Sequence, residues 1–523
     1  MPILATPDAV FLHGNILTLD PACPAAQAIA VRGDRILAVG SDADIANLAG
    51  PGTPRHHLGG HFVVPGFNDA HTHLLLAGRS RLELDLSGTG SLAELQQRVA
   101  AHAASLPPGE WIVGSRWDST RWPGRQLPTR RALDPFTQGH PALLHRLDLH
   151  AAVANSHALE RAGLTTSTVA PAGGALDADA GLLFETAVRL VTAVIPPLSA
   201  GQCRRALQWA MNDALAHGVT SVQDNSGWDA FLAFEALQQT GELPIRVSEW
   251  LNFNDPLATL QAQRAHHDPE DPWLRTGMLK AFMDGSLGSR TAALLAPYSD
   301  DPGNRGLLRY QQAELDALAI ERARAGFQLG FHAIGDAAAR MALNAFEAAQ
   351  AASPDADPRH RIEHLQVVAD EDFARMRRLG VVASVQPSHL LDDQRWAADR
   401  LGSERLQQSY PWRSFLDRGI VLAFGTDVPV APVDPLHTLC AALTRGDGYP
   451  PASERLCLEQ GLHACTLGAA FAEFAEDRKG SLAPGKLADF VVLSDDLDVI
   501  PPSGIPNVQV HRCVIGGRTR FEL

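Results

Sequence analysis

Six side chains in this sequence could share one piece of chemistry. His71 and His73 flank a threonine in VVPGFNDAHTHLLL, and Lys280, His332, His364 and Asp427 follow at wide intervals. On an extended strand alternate side chains share a face, so the two histidines point the same way, about 7 Å apart at the backbone. Imidazole is the commonest protein ligand for zinc and its neighbours in the transition series, so the pair suits one metal ion. An isolated His-x-His also occurs as two polar residues in a loop. Here the apolar lead-in (Val63, Val64) and nearby Asp69 add weight to the ligand reading.

The later residues stand where strands should end. Lys280 interrupts an apolar run in MLKAFMDGSLGSRTA. In FQLGFHAIGD, parity puts Gln328, Gly330 and His332 on one face and Phe327, Leu329 and Phe331 on the other, so the histidine faces away from the aromatic side. His364 closes HRIEHLQ, and Asp427 closes IVLAFGTDVPV with Ala423 and Gly425 on its own face. Singly, each has an ordinary structural reading: a hydrogen-bonded histidine, a turn with a helix cap, a lysine reaching solvent. As a set on the first, fourth, fifth, sixth and eighth strands of one barrel, they are poorly accounted for by chance placement.

The elements that must carry them alternate. Runs at 63–69, 219–224, 245–251, 278–282, 327–332, 361–365, 381–386 and 420–425 read as strands, each followed by a helical pattern. Eight parallel strands alternating with helices imply a closed (β/α)8 barrel with its site at the C-terminal ends of the strands. Residues from about 79 to 200 fit no place in that count and read as an insertion after the first strand, over the mouth of the barrel. Both ends of the chain are strand and turn. The expected organisation is therefore a β-sandwich from 1–62 and 478–523 beside a barrel spanning 63–477.

Composition sets outer bounds. The chain has 523 residues, 45% hydrophobic and 20% charged, with 44 basic and 59 acidic side chains and a formal charge of -15. That balance argues against a nucleic-acid partner. Six cysteines at 23, 203, 440, 457, 465 and 513 form no Cys-x-x-Cys, so neither a disulfide framework nor a thiolate metal site is expected. No signal peptide and no bilayer-spanning run is read, and the expected location is cytoplasmic.

The ordered set His-x-His, Lys, His, His, Asp resembles the amidohydrolase superfamily. PGFNDAHTH, KAFMDGSLGSRTA, FHAIGDAA, RIEHLQ, SVQPSH, FGTDVPV and GSLAPGKLADFVVL are similar to its YtcJ-like (amidohydrolase-3) branch, as are GSRWD, LDLHAAVANSHAL and GGLLFE. LDLHAAVANS departs from the branch, which has a Gly-His pair there. The resemblance implies one or two divalent ions, zinc first among them. His71 and His73 would hold one and His332 and His364 the other, with Lys280 bridging as N-carboxylysine and Asp427 as ligand and acid/base. An ammonium cannot ligate a cation, whereas a neutral amine that has added carbon dioxide offers two oxygens. An unmodified Lys280 would go with a single ion. Nitrogen and oxygen donors do not choose between zinc, manganese, iron and cobalt.

The implied reaction is hydrolysis of a non-peptide C–N bond by a metal-activated hydroxide, with Asp427 as acid/base. A small N-substituted formamide or N-acyl amine is the expected substrate, and Arg290, Trp117, His150 and His389 are candidate substrate contacts. Arg121, Trp111 and Trp122 belong to the same neighbourhood. Opening of a cyclic amide or deamination of a heterocycle would use the same ligands. A catalytically silent metal-binding or interaction protein is the alternative of another class. A homodimer is one expected assembly.

Overall fold

Residues 62–72 form two strands where one was expected over 63–69. Phe62–Pro65 pairs with Asn15–Leu17 and Phe490–Leu493, while Phe67–Thr72 (β1) opens a different sheet. The break falls at Gly66, where a Cβ would sit 2.3 Å from Thr220 Oγ1, so only glycine lets the chain cross there. This computed structural model describes residues 6–147, 151–171, 173–354, 357–446 and 448–523.

The sheet that β1 opens is the barrel. Its other strands are β2 (Val219–Asp224), β3 (Arg246–Asn252), β4 (Leu274–Phe282), β5 (Leu329–Ala333), β6 (Arg361–His364), β7 (Val382–Val385) and β8 (Leu422–Phe424), paired in parallel in that order. The ring nearly closes through a parallel bridge between Thr72 and Val428 and a hydrogen bond from Asp427 N to His71 O at 2.7 Å. Helices return between strands, as sequence periodicity requires. In Asp336–Ala352, Ala338, Ala342, Ala345, Phe346 and Ala349 make one buried stripe, and Phe346 stacks on Phe331 of β5 at 4.9 Å. Gly330, on the other face of β5, leaves room for Met278 inside the barrel.

Strands from both termini build the rest of this unit. A six-stranded mixed sheet joins Asn15–Leu17 and Phe62–Pro65 to Phe490–Leu493, Val510–Ile515 and Arg518–Glu522. With the four-stranded sheet of Ala9–Leu12 it encloses Phe11, Ile29, Val31, Val63, Phe490 and Val514. Arg246 at the start of β3 is clamped by both oxygens of Asp489, at 2.7 and 2.9 Å, which ties the barrel to the terminal sheet.

Ala77–Ala206 forms a second compact unit. Its six-stranded sheet runs in the order Gly174–Asp177, Leu182–Glu185, Ala151–Ala154, Ala142–Arg146, Ile112–Trp117, Leu84–Asp85. One side is covered by Leu92–Ala103, whose Leu95, Val99 and Ala103 pack with Trp117, Trp122 and Leu144. The six cysteines are free. Among the described residues no helix is long and apolar enough to cross a membrane.

Candidate metal centre

At the C-terminal end of the barrel the strand ends aim four imidazoles and a carboxylate at one another. His71 is on β1 and His73 lies one residue past its end, with ring centroids 5.4 Å apart. Asp427 follows β8 and faces both: its Oδ1 is 3.0 Å from His73 Nε2 and 3.5 Å from His71 Nε2. Its Oδ2 is 3.6 Å from Nε2 of His389, which follows β7. His364, ending β6, completes a second group. His71, His73 and Asp427 present ligand atoms all within 4.8 Å of one another, and so do His364, His389 and Asp427. His364 and Asp427 both adopt left-handed backbone (φ 81° and 60°), a strained conformation that turns each side chain back over the barrel mouth.

The hydrogen bonds on the far side of each ring decide which nitrogen is free. His71 Nδ1 donates to Glu363 Oε2 at 2.7 Å, His73 Nδ1 to Asn225 O at 3.0 Å and His364 Nδ1 to Gln386 Oε1 at 2.6 Å. His389 hydrogen-bonds the backbone of Thr426, while its buried Nε2 has no partner. Nε2 of His71, His364 and His389 therefore keeps its lone pair and points inward, while His73 Nε2 lies within hydrogen-bond reach of Asp427 Oδ1 at 3.0 Å. Lone pairs of His71 and His389 facing a carboxylate at 3.5 and 3.6 Å repel unless a cation lies among them. That arrangement of donors fits divalent metal.

Electrostatics agrees for His71 and His364 and sets His73 apart. Burial brings the His71 pKa down to about 4, with Lys280 adding to the effect, and burial pushes His364 well below the ordinary imidazole range. Burial also works against a charged His73, but the hydrogen bond and charge of Asp427 outweigh it and raise that ring. Burial alone would raise Asp427. The surrounding histidines, His71 foremost, instead hold it well below the usual carboxylate range.

One expectation is overturned. A carboxylated Lys280 bridging two ions is not part of the centre, because both donor groups close on Asp427 with histidines alone. Lys280 Nζ instead lies 5.2 Å from the ring centre of Trp250 and 5.1 Å from that of Phe282, and makes no hydrogen bond among the described residues. Burial lowers its pKa to about 8, against the pull of Glu363 and Asp427. Aromatic faces and two nearby carboxylates accommodate the ammonium, and Asp427 is the residue common to both donor groups.

The remaining candidates scatter. His332 lines the pocket 4.4 Å from the His364 ring, but its Nε2 is engaged by Gly285 O at 3.0 Å and it belongs to neither group. Arg290 is held by Asp300 at 2.9 and 3.1 Å and ties down its own loop. Trp117 is fully buried in the core of the second unit, its Nε1 donating to Leu144 O at 2.8 Å, with Trp122 beside it. His150 and the side chain of Arg121 lie outside the described residues.

Glu363 and Arg361, not singled out from sequence, and Asp69, noted there only as a neighbour of the histidine pair, hold these side chains in place. Glu363 also accepts from Arg361 Nε at 3.0 Å, and Arg361 reaches Ala70 O, Ser384 and Gln223. Burial alone would raise the Glu363 pKa, but Arg361, His71 and Lys280 bring it down to about 2. Asp69 accepts from Thr426 Oγ1, Thr426 N and His71 N at 2.6, 2.9 and 3.1 Å, joining β1 to the turn that carries Asp427. Arg361 and Glu363 alternating in a strand that must be buried on both faces were a readable sign of an internal ion pair. The four histidines and Asp427 line a cavity of about 370 Å³ together with Phe282, Leu287, Ile334 and Trp396.

A model of the Amidohydrolase family matches residues 57–521. The chain is 31% identical to the putative amidohydrolase YtcJ of Bacillus subtilis (strain 168), over 98% of this chain and 99% of that protein. It is 28% identical to an N-substituted formamide deformylase of Arthrobacter pascens, over 98% of each. The crystal structure of an uncharacterized metal-dependent hydrolase from Pyrococcus furiosus is similar with a TM-score of 0.81 at 31% identity, covering 93% of this chain and 99% of that one.

Proposed function

The chain belongs to the amidohydrolase family, in its YtcJ-like branch, and is a metal-dependent hydrolase of C–N bonds; from that premise we propose that it cleaves a small N-substituted formamide or N-acyl amine. The observation that carries the reading is the convergence of four imidazoles and Asp427 on a cavity partly lined by apolar side chains. The cavity suits an organic substituent on nitrogen. The relative from Arthrobacter pascens, an N-substituted formamide deformylase, supports a one-carbon acyl group.

His71, His73 and Asp427 would hold one divalent ion and His364, His389 and Asp427 a second, with His332 beside them. Such ions, when bound, polarise a carbonyl oxygen and lower the pKa of water from 15.7 toward about 7. The chain's own residues do the rest. Asp427, kept ionised by the surrounding histidines, accepts a proton from the attacking water and returns it to the departing nitrogen. Without that return the leaving group would be an amide anion. Glu363 and Gln386 hold the His71 and His364 rings so that Nε2 stays free. Phe282, Leu287 and Trp396 keep bulk water from the substituent.

The test is to incubate metal-replete protein with N-formyl amines, N-acyl amines, lactams and amino-heterocycles and to identify both fragments by mass. Release of free amine with formate or another carboxylate, abolished by Asp427→Asn, is the expected result. Turnover confined to lactams or heterocycles would move the substrate assignment, and a fully metallated protein inert toward every class would overturn it.

A further inference from the structure

Behind the loop that carries His73 two acids meet, and among the described residues neither forms an ion pair with a basic side chain. Asp224 ends β2, Glu249 stands opposite it in register on β3, and neither is exposed at all. Asp224 Oδ1 accepts from Thr72 Oγ1 at 2.8 Å and Leu74 N at 2.7 Å. Glu249 Oε1 accepts from Ser226 N at 2.9 Å and Gly227 N at 2.6 Å. The second oxygens, Asp224 Oδ2 and Glu249 Oε2, take no donor among the described residues. Ionised carboxylates only accept, so two of them buried together would carry both the desolvation cost and mutual repulsion.

We propose that Asp224 and Glu249 hold one proton between Oδ2 and Oε2, and that this acid–carboxylate pair is a positioning device for His73. The proton belongs mainly to Glu249, whose carboxyl is pushed well above the usual range by burial and then by the charge of Asp224. Asp224 is also raised by burial, but its donors oppose the shift. Each carboxyl grips one of two chain segments through its other oxygen, and the segments are further laced by Asn225 N to Thr72 O at 2.8 Å and Leu75 N to Ser226 Oγ at 3.0 Å. Between them lies Asn225 O, the acceptor that turns His73 Nε2 toward Asp427. Pulling the pair apart would release that acceptor. The consequence for metal rests on the proposed ligand role of His73; the shared proton does not.

Amides provide the test. In Glu249→Gln or Asp224→Asn the carbonyl oxygen can keep its two donors while the NH2 supplies the missing hydrogen to the remaining carboxylate. Each single variant should therefore keep its thermal midpoint and metal content close to those of the parent. The double variant places NH2 against NH2 and should lose far more than the singles combined, with metal affinity falling about 10–100-fold. Additive effects, or singles as damaged as the double, would overturn the proposal. Should the double variant not fold, infrared difference spectroscopy decides. Parent minus Glu249→Gln at neutral pH must show the loss of a protonated carboxyl band, and its absence would sink the shared proton whatever the enzyme hydrolyses. Glu249→Ala, which offers no donor, should be impaired where Glu249→Gln is not.

Discussion

Glu363 Oε2 lies 2.7 Å from His71 Nδ1, and both side chains are closed off from solvent. A buried carboxylate on the far nitrogen fixes the tautomer and the aim of an imidazole at once, and makes it a better donor to metal. The same carboxylate answers the buried guanidinium of Arg361, so Glu363 connects the candidate centre to the barrel interior.

Glu363→Gln tests that connection. The amide oxygen can still accept from His71, but its NH2 then faces Arg361, leaving a buried cation short of an acceptor. Metal affinity is expected to fall about 10–100-fold, and stability by about 3–5 kcal/mol, as for breaking a buried pair. Metal titration and denaturant unfolding measure the two separately. Unchanged affinity would mean that His71 is oriented by something else.

His389→Asn bears on the second donor group. Its Nε2 is buried, has no hydrogen-bond partner and points at Asp427. Elemental analysis of purified protein should show metal lost from one group and retained by the other. A metal-to-chain ratio equal to that of the parent would remove His389 from the ligand set.

Lys280→Met distinguishes a lysine seated against aromatic rings from a bridging carbamate. Methionine fills much of the same volume between Trp250 and Phe282. Metal content should survive the substitution, and that of the parent should be indifferent to removal of bicarbonate and carbon dioxide. Loss of metal in both experiments would reinstate the carbamate.

Asp489→Asn addresses stability away from the site. Arg246 and Asp489 are almost fully buried and joined by two short hydrogen bonds, and Asp489 Oδ1 also accepts from Gly516 N at 2.8 Å. Leaving the guanidinium unpaired should cost about 3–5 kcal/mol. Chemical denaturation gives the value. A loss below about 1 kcal/mol would show that the barrel and terminal sheet do not depend on this clamp.

The order of strand and helix, the count of eight barrel strands and the placing of His71, His73, His364 and Asp427 at strand ends were readable in the chain, because apolar periodicity and parity are local properties. The small residue Gly425 on the face of Asp427 was readable too, but its close approach to His71, where a Cβ would come within 2.6 Å of the histidine, appears only in the folded chain. Tertiary structure decided what each polar residue touches. It brought His389 to Asp427 and gave His332 to a backbone carbonyl. It enclosed Trp117 in another core, and set Lys280 against aromatic rings outside both donor groups. It also joined Glu363 to His71 across strands far apart in sequence, and Asp224 to Glu249 across neighbouring strands. Spacing along the chain states which side chains can reach the mouth of the barrel; only closure of the sheet settles which lone pairs face one another there.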